Sequence, residues 1–143
     1  MLFSALEEYA AVLGEPFTVT PEAQNSDYES GVAQLRGASW HVRTARITPT
    51  KPGALLAFWR RDDDGATAPF GCQDVGAGLL VFVKEEGRRG VFRFTDAHLD
   101  ELGITAGARP GKRGFRVYPS WCEGLNPQAA KSQRAQAPAF QEY

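Results

Sequence analysis

The sequence predicts an α+β fold rich in strand: a mainly antiparallel β core with one helix before it, one inserted and one after. Three observations carry this. Apolar and polar residues alternate in short runs such as "WHVRTAR" and "GVFRFT", the period of strands with one buried face. The runs lie close together, bounded by Gly or Pro, with tight turns such as "EEGRRG" between them, as in barrels and sandwiches. Helical spacing and capping residues mark three separate segments. At 143 residues the chain suits a single domain over 1–143.

Leu2, Leu6, Tyr9 and Leu13 recur at steps of three and four, and Gly14 stands where a C-terminal cap belongs, so 3–14 reads as a helix. "GEPFTVTPEAQNSDYES" (14–30), dense in Pro, Asn, Ser and Asp, reads as loop. "GVAQLRG" (31–37) is a short strand and "ASWHVRTARIT" (38–48) a longer one, ending at Pro49. In the latter, Trp40, Val42 and Thr44 share one face and His41, Arg43 and Ala45 the other. "ALLAFWRR" (54–61) follows, then a turn at "DDDGA". "GLLVFVK", "GVFRFT" and "GFRVYP" complete the strands, and one face of the sheet is expected to be solvated. "TDAHLDELGI" is a helix with Thr95 as N-cap and Gly103 as C-cap. "NPQAAKSQRAQ" is another, with Asn126 as N-cap and Pro127 at its first position. The tail docks through Phe140 or frays.

The longest apolar runs, "GALLAF" and "GLLVFV", are far too short to cross a bilayer, and the first residues lack a basic signal region. Cys72 and Cys122 have no C-x-x-C partner and read as reduced thiols. A cytoplasmic address without membrane contact is therefore expected. The net charge of -1 conceals a segregation. Residues 1–35 hold six acids and no Lys or Arg, whereas 36–61 hold six bases (Arg36, Arg43, Arg46, Lys51, Arg60, Arg61) and no acid. Such a block points to a surface that faces anions. Alternatively, the N-terminal acids fold against it and neutralise it.

Enzyme motifs are weak. Two histidines, His41 and His98, have no metal-ligand spacing. "GARPGKRG" fails as a phosphate loop because Ala106 and Arg113 stand where Gly and a hydroxyl residue are required. Phe82 occupies the carboxylate position of a nuclease pattern that would run from Asp74 to Lys84. Asp62, Asp63 and Asp64 suit a solvated turn, and Glu29 an ion pair or turn cap. No catalytic residue, metal or cofactor is expected. What remains is anion binding. Arg43, Arg46, Thr48, Lys51, Arg60, Lys112, Arg113 and Arg116 are candidate contacts, with Tyr118 and Trp121 as stacking partners. Guanidinium forks match phosphate oxygens, hydroxyls and ammonium groups add contacts, and aromatic faces stack on bases.

The sequence resembles the MepB-like family. The resemblance rests on "YES" (28–30), "RTARITPTKPGALLAFWRR" (43–61), Pro69-Phe70, "GKRGFRVYPSW" (111–121) and "QAAKSQ". It implies a small bacterial cytoplasmic protein with a fold similar to the DNA-binding pseudobarrel, here an antiparallel pseudobarrel with three flanking helices. Three positions depart from the family's pattern. Arg46 stands for Lys, Thr95 for Pro, and Ala135 for an aromatic residue.

The expectation is a non-catalytic protein, accessory or regulatory, that binds nucleic acid through a cationic face, DNA rather than RNA, as a monomer or weak homodimer. Arg46, Lys51 and Arg116 would meet phosphates, while Arg43, Arg60 and Arg113 would read bases or pair with acids. The alternative is a small enzyme or nucleotide pocket in which Glu29, Arg46, Lys51 and Arg116 converge inside the barrel. A protein-binding accessory subunit is a third reading.

Overall fold

The computed structural model describes residues 3–143; Leu2, counted above in the first helical face, lies outside them. Helix α1 (Ser4–Leu13) ends as expected. Gly14 is left-handed at φ 68°, and its N–H reaches the Ala10 and Ala11 carbonyls. Strands β1 (Phe17–Pro21), β2 (Gly31–Leu35), β3 (Ala38–Thr44), β4 (Arg46–Ile47) and β5 (Ala54–Ala57) follow. After them come β6 (Arg60–Arg61), β7 (Thr67–Ala68), β8 (Gly78–Glu85), β9 (Arg88–Thr95) and α2 (Asp96–Glu101). The chain closes with β10 (Gly114–Val117), α3 (Pro127–Gln136) and β11 (Phe140–Glu142). Six strands form a mixed sheet in the order β1-β2-β3-β8-β9-β11. Three more form a second sheet, β10-β5-β4, and β6 with β7 makes a hairpin. The architecture is α+β with three α-helices, as the sequence predicts.

Segment 14–30, read as loop, contains an edge strand: β1 pairs with β2 from Phe17↔Leu35 to Pro21↔Gly31. Only Phe17 and Val19 alternate there, and flanking prolines mask the pattern; at an edge, Pro21 is tolerated. The C-terminal tail docks as β11 on β9, with Phe140 opposite Phe92.

One strand pairing departs from the antiparallel expectation. β3 and β8 run parallel, from Trp40↔Gly78 to Thr44↔Phe82. A parallel pair needs a long crossover, and residues 45–77 supply it. Here the crossover builds two strands of the second sheet and the β6–β7 hairpin, with no helix. It departs at Ala45, whose N–H still donates to the Phe82 carbonyl at 2.9 Å. The next residues turn away to pair with β5, Arg46 opposite Leu55. The single strand expected over 38–48 is thus two strands in two sheets.

This arrangement covers both faces of the large sheet, where one solvated face was expected. Leu79, Val81 and Val83 of β8 pack with Leu56, Phe58, Phe92, Phe94 and Leu99. Their alternates Leu80 and Phe82 pack with Leu6, Tyr9, Trp40 and Val42. The large sheet is therefore a middle layer, with α1 on one side and the second sheet and α2 on the other. Hairpins at Arg36–Gly37 (φ 53° and 75°) and Glu86–Gly87 (φ 51° and 82°) have the type I′ geometry. Local caps form as the sequence implies. Thr95 Oγ1 accepts from His98 N at 3.1 Å, and Asn126 Oδ1 from Ala129 N at 2.8 Å.

Helix α3 seals the free edge of β10 through one side chain. Buried Gln136 accepts from Tyr118 N at 2.9 Å and donates to Arg116 O at 2.8 Å. It stands in for a missing neighbouring strand. Gln136→Leu leaves both backbone groups without partners and is expected to cost about 2–4 kcal/mol. A lower urea midpoint at unchanged m value would register that loss.

Candidate functional site

Two of the six cations in block 36–61 are matched by N-terminal acids. Arg36 Nε lies 3.4 Å from Glu15. Arg43 is fully buried, and its Nη1 donates to Glu22 Oε1 at 2.6 Å and to Val42 O at 2.9 Å. Its Nη2 donates to Asn25 Oδ1 at 3.0 Å, its Nε to Ala57 O at 3.1 Å, and its guanidinium lies 5.2 Å from the Phe58 ring centre. This corrects the placement of Arg43 among nucleic-acid contacts and matches the other expectation for it, pairing with an acid. Because both faces of the large sheet are covered, the face carrying Arg43 points into the core. The residue ties the 22–25 loop to β3 and β5. Glu8 goes elsewhere, to Lys84 and Arg89, each at 2.8 Å.

Burial pushes the Glu22 carboxyl up. Contact with His41 and the Arg43 charge outweigh that, leaving it below its ordinary value. The Arg43 contact is the stronger of the two, because His41 Nδ1 stands 3.4 Å away without hydrogen-bond alignment. Burial also lowers Arg43, against the pull of Glu22; the guanidinium stays charged at any ordinary pH.

The other cations gather around the second sheet. β5 lies between β4 and β10, and Leu55 stands opposite both Arg46 and Arg116. Directly opposed residues share a face. Arg46, Leu55 and Arg116 therefore form a row, with the two arginines roughly 10 Å apart by strand spacing. The alternate residues Ala54, Leu56, Phe115 and Val117 are buried, so the row faces outward. Arg116 donates to Thr48 Oγ1 at 2.9 Å and to Pro52 O at 3.2 Å. That holds it against the β4–β5 loop, which also carries exposed Lys51. The loop returns at Gly53, φ 78°, where a Cβ would stand 2.6 Å from Val117 O and 2.8 Å from the Tyr118 ring. Only glycine allows this close return.

Toward the other end, Phe58 N donates to Arg113 O at 2.9 Å, and the Arg113 guanidinium reaches Thr67 O at 3.3 Å. These bonds bring β10 beside the β6–β7 hairpin that carries Arg60 and Arg61. Asp62 at its tip accepts from Asp64 N and Ala66 N, forming the expected turn. Among the described residues, no carboxylate lies within 4.0 Å of Arg46, Lys51, Arg60, Lys112, Arg113 or Arg116. The N-terminal acids thus pair Arg36 and Arg43 and leave the cations of the second sheet without an ion pair among the described residues, while Glu85, Glu86 and Glu123 line a cleft beside the Lys51 loop.

Half-buried Tyr118 sits beside the Gly53 return. Trp121 is not a free stacking platform. Its Nε1 donates to Glu85 at 2.9 Å, the Arg88 guanidinium lies 4.8 Å from its ring centre, and Phe140 meets it edge-on. Glu29 accepts from Thr44 Oγ1 at 3.1 Å. Among the described residues, Glu29 makes no ion pair with Arg46, Lys51 or Arg116, and the two arginines lie on the outer face of the second sheet.

Sequence reasoning missed Arg109 and Lys131. With Lys112 and Arg116 they line a cleft of about 520 Å³ beside β10, between the α2–β10 segment and α3. Arg109 belongs to the cationic run "GARPGKRG", a usable signal. Placing Lys131 there required knowing that α3 docks on β10. Ala135, at the family's aromatic position, also lines the cleft and is exposed.

These features define a small α+β protein built on a six-stranded mixed sheet, with a cationic second sheet. The MepB-like family profile matches residues 22–142, and the chain belongs to that family. It is similar to the crystal structure of MepB, at 29% identity and a TM-score of 0.87, over 98% of this chain and 97% of that one. No curated protein matches the sequence.

Proposed function

We propose that this chain binds nucleic acid without catalysis, through the outer face of the second sheet. The observation that carries the reading is the row Arg46–Leu55–Arg116, whose arginines have no carboxylate within 4.0 Å among the described residues. Arg46, Lys51 and Arg116 would hold successive phosphates, with Thr48 adding a hydroxyl. Arg60, Lys112 and Arg113 would extend the track, and Tyr118 is the stacking candidate. The similarity to the DNA-binding pseudobarrel that membership of the MepB-like family implies favours DNA over RNA in this reading. In this reading the chain acts in the bacterial cytoplasm as a monomer or weak homodimer. No helix among the described residues is long and apolar enough to cross a membrane.

Fluorescence anisotropy with labelled duplex DNA, single-stranded DNA and RNA of equal length tests it. Duplex DNA is expected to bind most tightly at low salt. Equal, negligible binding of all three would reject the reading.

A further inference from the structure

The cleft between α2, β10 and α3 lies along the edge of the second sheet and meets the outward row only at Arg116, whose guanidinium is bonded to Thr48 and Pro52. Arg109, Lys112, Arg116 and Lys131 line it against a single carboxylate residue, Glu101. Its lining also includes apolar Leu102, the edges of buried Ile104 and Phe115, and polar Gln128 and Ser132. A bare polyanion track needs no apolar wall. A cleft with cations on one part and apolar surface on another suits a ligand with an anionic end and a flat, weakly polar body. Its volume of about 520 Å³ falls within the range of small-ligand sites, roughly 300–1,000 Å³.

One cation is already in position. Arg109 Nη1 donates to the Glu101 carbonyl at 2.6 Å, at the end of α2. Its stem passes over Gly103, φ 75°, where an added Cβ would stand 3.0 Å from Arg109 Cδ. Glycine suits the backbone turn there and leaves the Arg109 side chain room to pass. A pre-positioned guanidinium loses less freedom when an anion arrives.

We propose that this cleft binds the phosphate of a 5′-phosphorylated nucleoside, with Arg109 and Lys131 as its principal contacts and the base against the apolar wall. The same chemistry is offered by a free nucleoside monophosphate and by the phosphorylated end of a DNA strand. The proposal shares Lys112 and Arg116 with the sheet-face reading but does not require duplex binding along the sheet.

Titration calorimetry with adenosine 5′-monophosphate and with adenosine tests the free ligand. A short single-stranded DNA carrying either a 5′-phosphate or a 5′-hydroxyl tests the strand end. Phosphate-dependent binding is expected in at least one arm, weakened tenfold or more in the Arg109→Ala/Lys131→Ala double variant. Both positions are exposed, and an unchanged circular dichroism spectrum checks folding. Binding by adenosine monophosphate alone assigns the cleft to free nucleotide, and binding by the phosphorylated strand alone assigns it to strand ends. Loss of phosphate discrimination in both arms, or discrimination untouched by the double variant, overturns the proposal. Duplex binding is judged separately with Arg46→Glu/Lys51→Glu, which lies outside this cleft, so either reading can fail without the other.

Discussion

Arg43→Ala is expected to remove about 3–5 kcal/mol of folding stability, the cost of breaking a buried ion pair on one side. Arg43 has no exposed surface and distributes its donors among Glu22, Asn25, Val42 and Ala57. Alanine would leave the Glu22 carboxylate without its closest counter-charge and three further acceptors short of a donor. It would also open a void beside Phe58. Removing both charges, as in Glu22→Gln/Arg43→Met, should cost much less, because no buried ion is then left unpaired. Urea unfolding of the single and double variants checks the difference. The pair also sets a pH dependence. Glu22 has a folded-state pKa below its ordinary value of 4.5, so the unfolded chain takes up a proton there first. Its contribution is complete above about pH 4.5 and is lost as pH falls through the lowered value. Wild-type stability should therefore fall in acid, and the part due to Glu22 should be missing from the slope of Glu22→Gln/Arg43→Met.

Charge reversal of the outward row is expected to have the largest effect on binding. Arg46→Glu/Arg116→Glu should weaken duplex DNA binding about 100-fold or more. A hydrogen bond to a charged group contributes about 1.5–3 kcal/mol, two are lost, and each new carboxylate repels a phosphate. The substitutions lie on the face away from the core, so the circular dichroism melt should move far less than for Arg43→Ala. Trp121→Ala makes the contrasting case. It deletes an indole held by Glu85, Arg88 and Phe140, and should lower stability rather than selectively abolish binding.

Features set by a few adjacent residues were legible in the sequence. Gly14, Thr95 and Asn126-Pro127 mark helix ends through short-range capping, and the structure shows each cap. Alternation located the central strands for the same reason. Long-range pairing was not legible. Nothing local announces that β3 meets β8 in parallel, or that a strand splits at Ala45 because its neighbour changes from β8 to β5. β1 went unseen because two apolar residues between prolines carry too little pattern. The same divide runs through the site. Clustering singled out Arg46, Lys51 and Arg116, which the register brings around one sheet face. It could not tell that Arg43, three residues from Arg46, faces the opposite environment, since its partner Glu22 lies twenty-one positions earlier. Lys131 was invisible for the same reason, its role depending on where α3 docks.

The salt dependence of duplex DNA binding tests the cationic-face account most directly. Each phosphate neutralised contributes roughly -0.9 to the slope of log affinity against log salt. Contacts from Arg46, Lys51, Arg60, Lys112, Arg113 and Arg116 therefore predict a slope of about -5, reduced by about two units in Arg46→Glu/Arg116→Glu. A slope near zero, or one unchanged by that double substitution, would contradict the account.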